Sequence, residues 1–306
     1  MENKIVVIAG ATATGKTDLA IQLAKKIDGE IVSADSMMVY KYMDIGTAKP
    51  TQQEQEGIRH YVIDVVEPSY NFSVKDFLKE ADRSISEIQE KGKIPIVAGG
   101  TWLYIQALLY GLSEAPKGNP EIREELYKEN NKKLYKKLKE VDKEYAQKIH
   151  QNDKRRIVRA LEVFYETGKP FSSFQKEHSF KEKRYDFVGF ILQRDREQIM
   201  KRIEERVEKM FQKGLIEEVK NLMEMGYENS LTAKQAIGYK EVIPYLKGEI
   251  SLEEAKESII KNTKVFAKRQ IRTFRNKLEF DHITLSDYTN NKILDTIIER
   301  LQLQRR

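Results

Sequence analysis

The sequence of 306 residues contains no cysteine. The chain can therefore form no disulfide, hold no thiolate-based zinc site and use no cysteine as a nucleophile. This absence is compatible with a reducing compartment. Histidines are present, but they are scattered without the spacing of metal ligands: His60, His150, His178 and His282. We therefore expect no metal site built from histidine or cysteine side chains.

Long hydrophobic runs are also missing. No segment approaches the roughly 18 apolar residues of a membrane span, and the mean hydropathy of −0.62 is typical of a soluble globular protein. The first predicted strand begins within a few residues of Met1, with no targeting segment before it. We expect a cytoplasmic protein without a membrane partner, and a monomer.

An excess of positive charge is confined to one part of the chain. The net charge is +6, and residues 116–186 contain 19 Lys and Arg against 13 Asp and Glu, while the remainder has 35 of each. A local basic excess is expected of a protein that binds a polyanion such as nucleic acid, although lysine-rich helices are also common as solvated faces. Charge alone leaves both interpretations open.

One segment has the spacing of a phosphate-binding loop (P-loop): Gly10-Ala11-Thr12-Ala13-Thr14-Gly15-Lys16-Thr17. It follows an apolar run and precedes an amphipathic segment, which is the order of strand, loop and helix that such a loop requires. Gly10 and Gly15 let the backbone turn so that successive amides face one anion. Lys16 can then reach the phosphate oxygens, and the Thr17 hydroxyl can bind Mg²⁺. All eight residues are predicted to bind a di- or triphosphate; the alternative is an ordinary glycine-rich turn.

The order of the predicted elements indicates an α/β fold. Apolar runs at 30–34, 60–65, 94–98 and 187–192 alternate with helical segments, which is typical of a parallel sheet with helical crossovers. We predict a P-loop NTPase-like parallel sheet flanked by helices, built from residues 1–115 and 187–306. An all-helical insertion domain is predicted at 116–186, ending in a polar loop over 168–185. A last strand is expected at 281–285.

Other candidate residues stand out by position. Asp35 follows the second predicted strand, where ligands of α/β proteins bind, although a turn or helix cap is an equal alternative. Arg155, Arg156 and Arg159 share a helix face in the insertion and could bind phosphates or simply be solvated. The predicted helix from Leu252 to about Lys277 carries a basic stripe of Lys261, Lys264, Lys268, Arg272 and Arg275, which Arg269 widens, and an apolar side that includes Phe274 and Leu278.

Several motifs, in this order, resemble those of the tRNA dimethylallyltransferases over about residues 4 to 280. They are Gly10–Thr17, Asp35–Tyr40, Met43–Pro50, Phe72–Phe77, Gly99–Thr101 with Leu103-Tyr104, Asn152-Asp153 with Arg155-Arg156, Arg159–Glu162, Ile237–Tyr239 and Lys268–Gln270. The resemblance implies transfer of the dimethylallyl group from dimethylallyl diphosphate to the exocyclic 6-amino group of the adenosine at tRNA position 37, next to the anticodon. The products are isopentenyladenosine and diphosphate. In that family the target base is flipped out into a channel.

The resemblance also implies roles for individual residues. The P-loop would hold the prenyl diphosphate, with Mg²⁺ at Thr17, and Asp35 would accept a proton from the poorly nucleophilic adenine amine. Lys16, Thr17 and Thr101 complete the predicted catalytic set. The predicted tRNA-binding residues are Asp35, Ser36, Met37, Met38, Thr101, Arg123, Arg155, Arg156, Ile157, Val158, Arg159, Gly238, Tyr239, Lys240, Lys268, Arg269 and Arg272.

Two positions depart from the family pattern. Ala11 stands where proline is usual, which should loosen the loop by less than about 1 kcal/mol. Trp102 stands where a small residue is common, and we expect it to pack against neighbouring side chains. Eukaryotic members often carry a C-terminal zinc finger that a chain without cysteine cannot form, so this chain resembles the bacterial form.

Three other functions share part of this pattern. A small-molecule P-loop kinase has the same order of strand, loop and helix but does not need the basic insertion. A prenyltransferase acting on free adenine nucleotides would share the core, and the insertion argues against it. A non-catalytic RNA-binding protein would not need Lys16, Thr17 and Asp35 together. ATP hydrolysis, AMP prenylation and bare tRNA binding distinguish these alternatives.

Overall fold

The computed structural model describes residues 4–178, 182–285 and 290–303. The chain divides into two compact units: residues 1–109 with 184–306, here called the core unit, and residues 110–183, here called the helical unit. These limits differ by a few residues from the predicted domains. Residues 184–186, predicted in the insertion, group with the core unit, because the Arg184 amide donates to the Leu109 carbonyl at 2.8 Å. Residues 110–115, predicted in the core, group with the helical unit.

The described strands of the core unit form one parallel sheet, in the spatial order β3-β2-β4-β1-β5-β6. The central strand β1 pairs with both neighbours, so that Val7 lies opposite Val97 and Gly189. Its residues 5–9 are all buried, as expected where helices cover both faces of a parallel sheet. The predicted α/β fold is confirmed. The strands are β1 (Lys4–Gly10), β2 (Gly29–Ser33), β3 (His60–Tyr61), β4 (Ile94–Gly99), β5 (Asp186–Gln193) and β6 (Asp281–Thr284).

Helices make up most of the remaining described chain, and none of them is long and apolar enough to cross a membrane. Side-chain caps mark several of their starts: Ser73 forms a capping box with Asp76, and Asp195 caps α10. The helices are α1 (Lys16–Ile27), α2 (Gln52–Gln55), α3 (Val74–Glu90), α4 (Trp102–Tyr110), α5 (Pro120–Lys128), α6 (Asn131–Val141), α7 (Lys143–Lys148), α8 (Lys154–Thr167), α9 (Phe171–His178), α10 (Arg196–Gln212), α11 (Leu215–Glu224), α12 (Leu231–Gln235), α13 (Tyr239–Leu246), α14 (Leu252–Phe274) and α15 (Asn290–Leu303).

The helical unit has a hydrophobic core of its own. Leu134 and Leu138 of α6 pack with Ile157 and Leu161 of α8, and all four side chains are fully buried. The polar loop predicted over 168–185 is wrong in its first half, because α9 lies there. The Ser172 amide of α9 donates to the buried Asp142 carboxylate at 2.8 Å. This tertiary contact is not visible in the local composition, which is polar.

The third strand is shorter than predicted. β3 comprises only two residues, whereas the apolar run continues beyond it. Val62 and Asp64 have φ angles of +61° and +55°, which no β-strand allows. The buried Lys49 ammonium holds this bend: it binds the Asp64 carboxylate at 2.5 Å and the Tyr40 carbonyl at 2.9 Å. A bend stabilised by a distant lysine overrides the strand propensity of the run.

Candidate active site at the phosphate-binding loop

The P-loop lies between β1 and α1, in the middle of the sheet. Gly10 has a φ of +152°, and a Cβ there would lie 2.7 Å from the Leu192 carbonyl oxygen of β5. Gly15 has a φ of +98° and directly precedes α1. A close approach and a left-handed turn therefore require these two glycines. A glycine turn that leads directly into the N-terminus of a helix is the backbone arrangement that an anion site requires.

The Ala11 carbonyl organises the interior of the loop. It accepts the Thr14 hydroxyl at 2.8 Å and the Lys16 ammonium at 2.7 Å. Burial disfavours the charged ammonium and lowers the pKa of Lys16 to about 8, while the Asp35 carboxylate opposes the shift. At neutral pH Lys16 still carries most of its charge, in surroundings that screen it less than water does.

Arginines from and just before α10 add further positive charge beside the loop. Arg202 donates its Nε–H to the Ala13 carbonyl at 2.9 Å, and Arg194 donates to the Thr14 carbonyl at 3.4 Å. Arg206 follows Arg202 by one turn; desolvation by the surrounding protein lowers its pKa, and Asp35 opposes this shift. The sequence prediction missed these arginines. Their signal was the four-residue spacing of Arg202 and Arg206 on one helix face after β5.

Asp35 lies at the end of β2 and caps its own turn. Its Oδ1 atom accepts the Met37 amide at 2.8 Å and the Met38 amide at 3.4 Å. Its charge opposes the desolvation that lowers the pKa values of Lys16 and Arg206, so the carboxylate is within electrostatic range of these two cations. The capping interpretation of Asp35 is therefore confirmed, and it is compatible with the predicted site role.

Thr101 joins Asp35 at the same edge of the sheet. Its hydroxyl accepts the Ser36 amide at 3.1 Å, and its own amide donates to the Ala34 carbonyl at 3.2 Å. Gly99 permits the close approach of the chain after β2 to the end of β4, because a Cβ at Gly99 would lie 2.2 Å from the Ala34 carbonyl oxygen. The predicted residues Asp35, Ser36 and Thr101 are thus brought together.

The segment after β2 is held by a residue that the sequence prediction missed. The Glu218 carboxylate on α11 accepts the amides of Asp44 at 2.9 Å, Ile45 at 2.8 Å and Gly46 at 3.1 Å. The Tyr239 hydroxyl donates to the same carboxylate at 2.6 Å. A Cβ at Gly46 would lie 2.4 Å from the Tyr239 ring, so glycine is needed where the ring passes. The motif around Tyr239 therefore shapes this loop from inside the core unit.

Four residues of the predicted tRNA-binding set are buried in the structure. The side chains of Ile157, Val158 and Tyr239 are at most 1% exposed, and Gly238 is buried as well. Ile157 and Val158 belong to the core of the helical unit, and Tyr239 binds Glu218. None of these side chains has a surface to offer to RNA. Ile157 and Val158 therefore stabilise the helical unit by packing, and Tyr239 stabilises the core unit through its bond to Glu218.

The cations predicted to bind tRNA in the helical unit differ in exposure and in their acidic partners. Arg155 and Arg156 are exposed. Arg123 and Arg159 instead share the fully buried Glu162 carboxylate, at 2.9 and 2.7 Å, and Arg159 also donates to the Pro116 carbonyl at 2.6 Å. Glu162 therefore fixes the guanidinium groups of Arg123 and Arg159.

The basic stripe on α14 is partly confirmed. Lys268, Arg269 and Arg272 are exposed, whereas Lys264 pairs with Glu204 on α10. Leu278 lies beyond the end of the helix and is 93% exposed, so its predicted place on the apolar side is wrong.

Trp102 packs as predicted. Its ring meets Phe274 and Phe280 edge-on, with centroids 5.9 and 5.7 Å apart, and the Lys277 ammonium lies 4.1 Å above it.

The described residues contain no group of three or more His, Asp and Glu side chains that could hold a metal ion. Thr17, at the start of α1, is the one metal ligand that the sequence analysis predicts, and it is partly exposed. A Mg²⁺ ion at this position would need most of its ligands from a bound diphosphate and water, which is the usual coordination of this ion in phosphate sites.

Comparison with known proteins gives consistent matches. A family model described as IPP transferase matches residues 38–277. A tRNA dimethylallyltransferase of Sulfurihydrogenibium sp. is 65% identical, over 97% of this chain and 96% of its own length. A protein of the same name from Aquifex aeolicus is 56% identical, over 93% of this chain and 94% of its own length.

Solved structures agree over the full chain. A tRNA delta(2)-isopentenylpyrophosphate transferase from Staphylococcus epidermidis has a TM-score of 0.74 and 41% identity, covering 99% of this chain and all of that one (100%). A eukaryotic dimethylallyltransferase acting on tRNA has a TM-score of 0.83 and 32% identity, covering 100% of this chain and 80% of that one. With a family model over most of its length and relatives this similar, the chain belongs to the IPP transferase family of tRNA dimethylallyltransferases.

Proposed function

We propose that this enzyme transfers the dimethylallyl group from dimethylallyl diphosphate to the exocyclic 6-amino group of the adenosine at tRNA position 37. The products are isopentenyladenosine and diphosphate. One observation supports the proposal above all. The Asp35 carboxylate lies within electrostatic range of two cations, Lys16 in the P-loop and Arg206 on α10. A base and a binding site for an anionic leaving group are the two parts that this reaction requires.

The leaving-group side consists of the P-loop and its cations. Departure of diphosphate from an allylic carbon develops negative charge on the bridging oxygen, and fixed donors that face this charge lower the barrier. Lys16 and the loop amides supply such donors. Arg206 adds a second positive charge. The surrounding protein desolvates this guanidinium group and so lowers its pKa. Both cations would interact more strongly with diphosphate than they would in water.

The base side consists of Asp35 and its supports. The adenine amine is a weak nucleophile because its lone pair is delocalised into the ring, so loss of its proton must accompany attack on the allylic carbon. Two amides hold Oδ1 of Asp35, which fixes the orientation of the carboxylate. The proton passes from the amine to this carboxylate as the new C–N bond forms and the C–O bond to diphosphate breaks. Thr101 supports the turn beside Asp35 through the Ser36 amide.

Thr17 is the residue that would hold Mg²⁺. Its hydroxyl lies on the first turn of α1, and the residues around the P-loop contribute cations and amides but no cluster of carboxylates among the described residues. This set fits an ion that arrives with the diphosphate. When bound, Mg²⁺ supplies additional charge neutralisation to the diphosphate oxygens.

The tRNA side is assigned to exposed cations. Arg155 and Arg156 of α8, and Lys268, Arg269 and Arg272 of α14, present positive charge to solvent. Such side chains bind phosphates and sugars without reading sequence. Lys240, Arg123 and Arg159 are included with these residues, although each pairs with an acidic side chain, as Arg156 also does with Asp153 at 3.4 Å. We place the reaction in the cytoplasm, where the tRNA is, and propose that one chain suffices.

A paired assay tests the proposal. One sample contains labelled dimethylallyl diphosphate, unmodified tRNA and Mg²⁺, and the other contains labelled ATP and the same tRNA. We expect prenyl label in the tRNA and no ATP turnover, and no label in a tRNA carrying guanosine at position 37. ATP turnover without prenyl transfer would instead assign the P-loop to a kinase. Transfer of label to AMP but not to tRNA would assign the chain to the free-nucleotide prenyltransferases.

A further inference from the structure

A glutamine from α14 connects the two sides of the candidate site. The Gln270 side chain is buried, with 8% of the residue exposed. Its Oε1 atom accepts the Thr12 amide at 2.8 Å, and its Nε2 group donates to the Gly100 carbonyl at 3.0 Å. One end of the same carboxamide therefore binds the P-loop, and the other end binds the end of β4.

The surrounding backbone is shaped to admit this side chain. A Cβ at Gly100 would lie 2.4 Å from Nε2 of Gln270 and 3.3 Å from the Gly10 carbonyl oxygen. Glycine at this position therefore leaves room for the carboxamide between the P-loop and β4. The carboxamide orientation is also fixed, because its oxygen faces a donor and its nitrogen faces an acceptor.

Thr12 and Gly100, the two residues that Gln270 binds, lie on the diphosphate side and the base side of the proposed site. Thr12 belongs to the loop that carries Lys16, whereas Gly100 directly precedes Thr101, which supports the turn of Asp35 through Ser36. The Thr12 amide already donates its hydrogen bond to Gln270. While this bond is kept, the Thr12 amide cannot also donate to diphosphate.

We propose that Gln270 is a positioning residue that sets the separation between the diphosphate loop and the base side, without contacting either substrate. This inference rests on the proposed function. Transfer requires the allylic carbon, the amine and the base to be aligned within a fraction of an ångström, and a misplacement of about 1 Å can cost roughly 100-fold in rate. A side chain hydrogen-bonded to both halves controls that alignment.

The variant Gln270→Glu separates positioning from simple core packing. It keeps an oxygen that accepts the Thr12 amide, but an ionised carboxylate places a second oxygen against the Gly100 carbonyl and repels it. A protonated carboxyl group can donate to that carbonyl again. Burial raises the pKa of a carboxyl group, so this recovery is expected as the pH falls from 8.5 toward about 6.

The charged groups nearby are common to the wild type and the variants, so a ratio of their kcat values isolates the effect of residue 270. Lys16 in the P-loop, Asp35 after β2 and Arg206 on α10 are present in the wild type and in each variant alike. The measured quantity is therefore the ratio of variant kcat to wild-type kcat at each pH. The control variant is Thr273→Ala, on the same helix, where the exposed hydroxyl binds only the Arg269 carbonyl of its own turn among the hydrogen bonds described.

We expect Gln270→Ala and Gln270→Met to lower kcat roughly 10- to 100-fold at every pH. For Gln270→Glu the ratio should rise about tenfold between pH 8.5 and 6, because protonation restores the missing donor. The tRNA dissociation constant, measured by filter binding on the full chain, should stay within about twofold of the wild type, since tRNA affinity comes mainly from surface cations. Thr273→Ala should match the wild type in both quantities.

Two results would overturn the inference: a kcat of Gln270→Ala within twofold of the wild type, or a Gln270→Glu ratio that is flat with pH. Failure of the proposed function is a separate result, because the wild type would then transfer no prenyl label. In that case calorimetry with inorganic diphosphate tests Gln270 directly. Recovery of diphosphate affinity by Gln270→Glu at low pH supports the inference, and a flat ratio contradicts it.

Discussion

Lys16 is the residue in which burial and function oppose each other most directly. The proposed diphosphate site requires the charged form, yet desolvation lowers the pKa of this lysine to about 8. A bound polyanion stabilises the ammonium and raises the pKa again. Below pH 8 the free enzyme already carries the proton, so the full electrostatic contribution to binding is present. Above pH 8 the proton must be taken up on binding, and the contribution decreases until the pKa of the bound state is reached.

We therefore predict that the affinity for inorganic diphosphate falls by up to about tenfold per pH unit above pH 8. Calorimetric titrations between pH 7 and 9.5 at constant ionic strength measure this. The control is Lys16→Met, which binds more weakly and lacks this ionisation, so dividing wild-type by variant affinity cancels the ionisation of diphosphate itself. A ratio that does not change with pH would contradict the assignment of Lys16 as the titrating phosphate ligand.

Asp35 allows a test of the base. Asp35→Asn keeps an oxygen that can accept the Met37 and Met38 amides, so its turn should persist, but an amide cannot take up the proton. We predict a fall in single-turnover rate of roughly 10²- to 10⁴-fold, with tRNA affinity nearly unchanged. Asp35→Ala should lose at least as much, because it also removes the turn. A nearly active Asp35→Asn enzyme would remove Asp35 from the chemistry.

The residues that sequence reasoning could find are those in contiguous motifs. Lys16 belongs to the contiguous P-loop motif, and Asp35 and Thr101 each follow the end of a strand by two residues, so local sequence is enough to predict them. Arg206, Glu218 and Gln270 act on loops from which they are separated by more than a hundred residues, through helix packing that local patterns do not specify. Buried residues of the same motifs, such as Tyr239, were given a surface role because motif identity does not distinguish support from contact.

Among the helices, α8 carries the clearest candidate RNA contacts. Arg155 and Arg156 lie in its first turn and are exposed, whereas Arg159, on the same helix, is bound to Glu162. Exchanging both exposed arginines for glutamate should weaken tRNA binding and reduce the slope of log K against log salt by about 1.5, if each contacts one phosphate. Diphosphate binding should not change.

A matched control for this prediction lies on α6. Lys132 and Lys133 are exposed, and the double exchange to glutamate changes the net charge of the helical unit by the same amount. Filter-binding titrations at several salt concentrations compare the two variants. If the two double variants lower the salt slope equally, the net charge of the helical unit explains the change. That result would contradict a specific contact between the tRNA backbone and α8.

Elements with strong local signals were predicted well, and those held by distant contacts were not. α3 and α10 begin at side chains that cap them, which the sequence displays directly. α9 depends on Asp142 from outside its own segment, and the bend after β3 depends on Lys49. Propensity and composition describe a segment alone, so they fail where a partner elsewhere in the chain decides the conformation.

For the whole molecule, the site at the P-loop draws on β1, β2, β4, α1, α10 and α14, all in the core unit. Saturating diphosphate should therefore protect backbone amides of residues 10–17 and of α14 around Gln270 from hydrogen exchange, while residues 110–183 remain unchanged. At 100 times the dissociation constant, the ligand adds about 2.7 kcal/mol to the free energy of unfolding. Mass spectrometry of exchanged peptides checks this, with Lys16→Met as the control. Protection confined to the helical unit would place the anion site elsewhere.

The order of strands in the sheet has a consequence for synthesis on the ribosome. β1 emerges before the helical unit, yet its neighbour β5 begins at Asp186, after the whole helical unit has been translated. Until then a nascent core can pair β1 only with β4, which leaves an apolar strand at an open edge, a template for association with other chains. Ribosome stalling or early termination between residues 110 and 185 should therefore yield aggregating fragments, and the phosphate loop reaches its final shape only after Gln270 has left the exit tunnel.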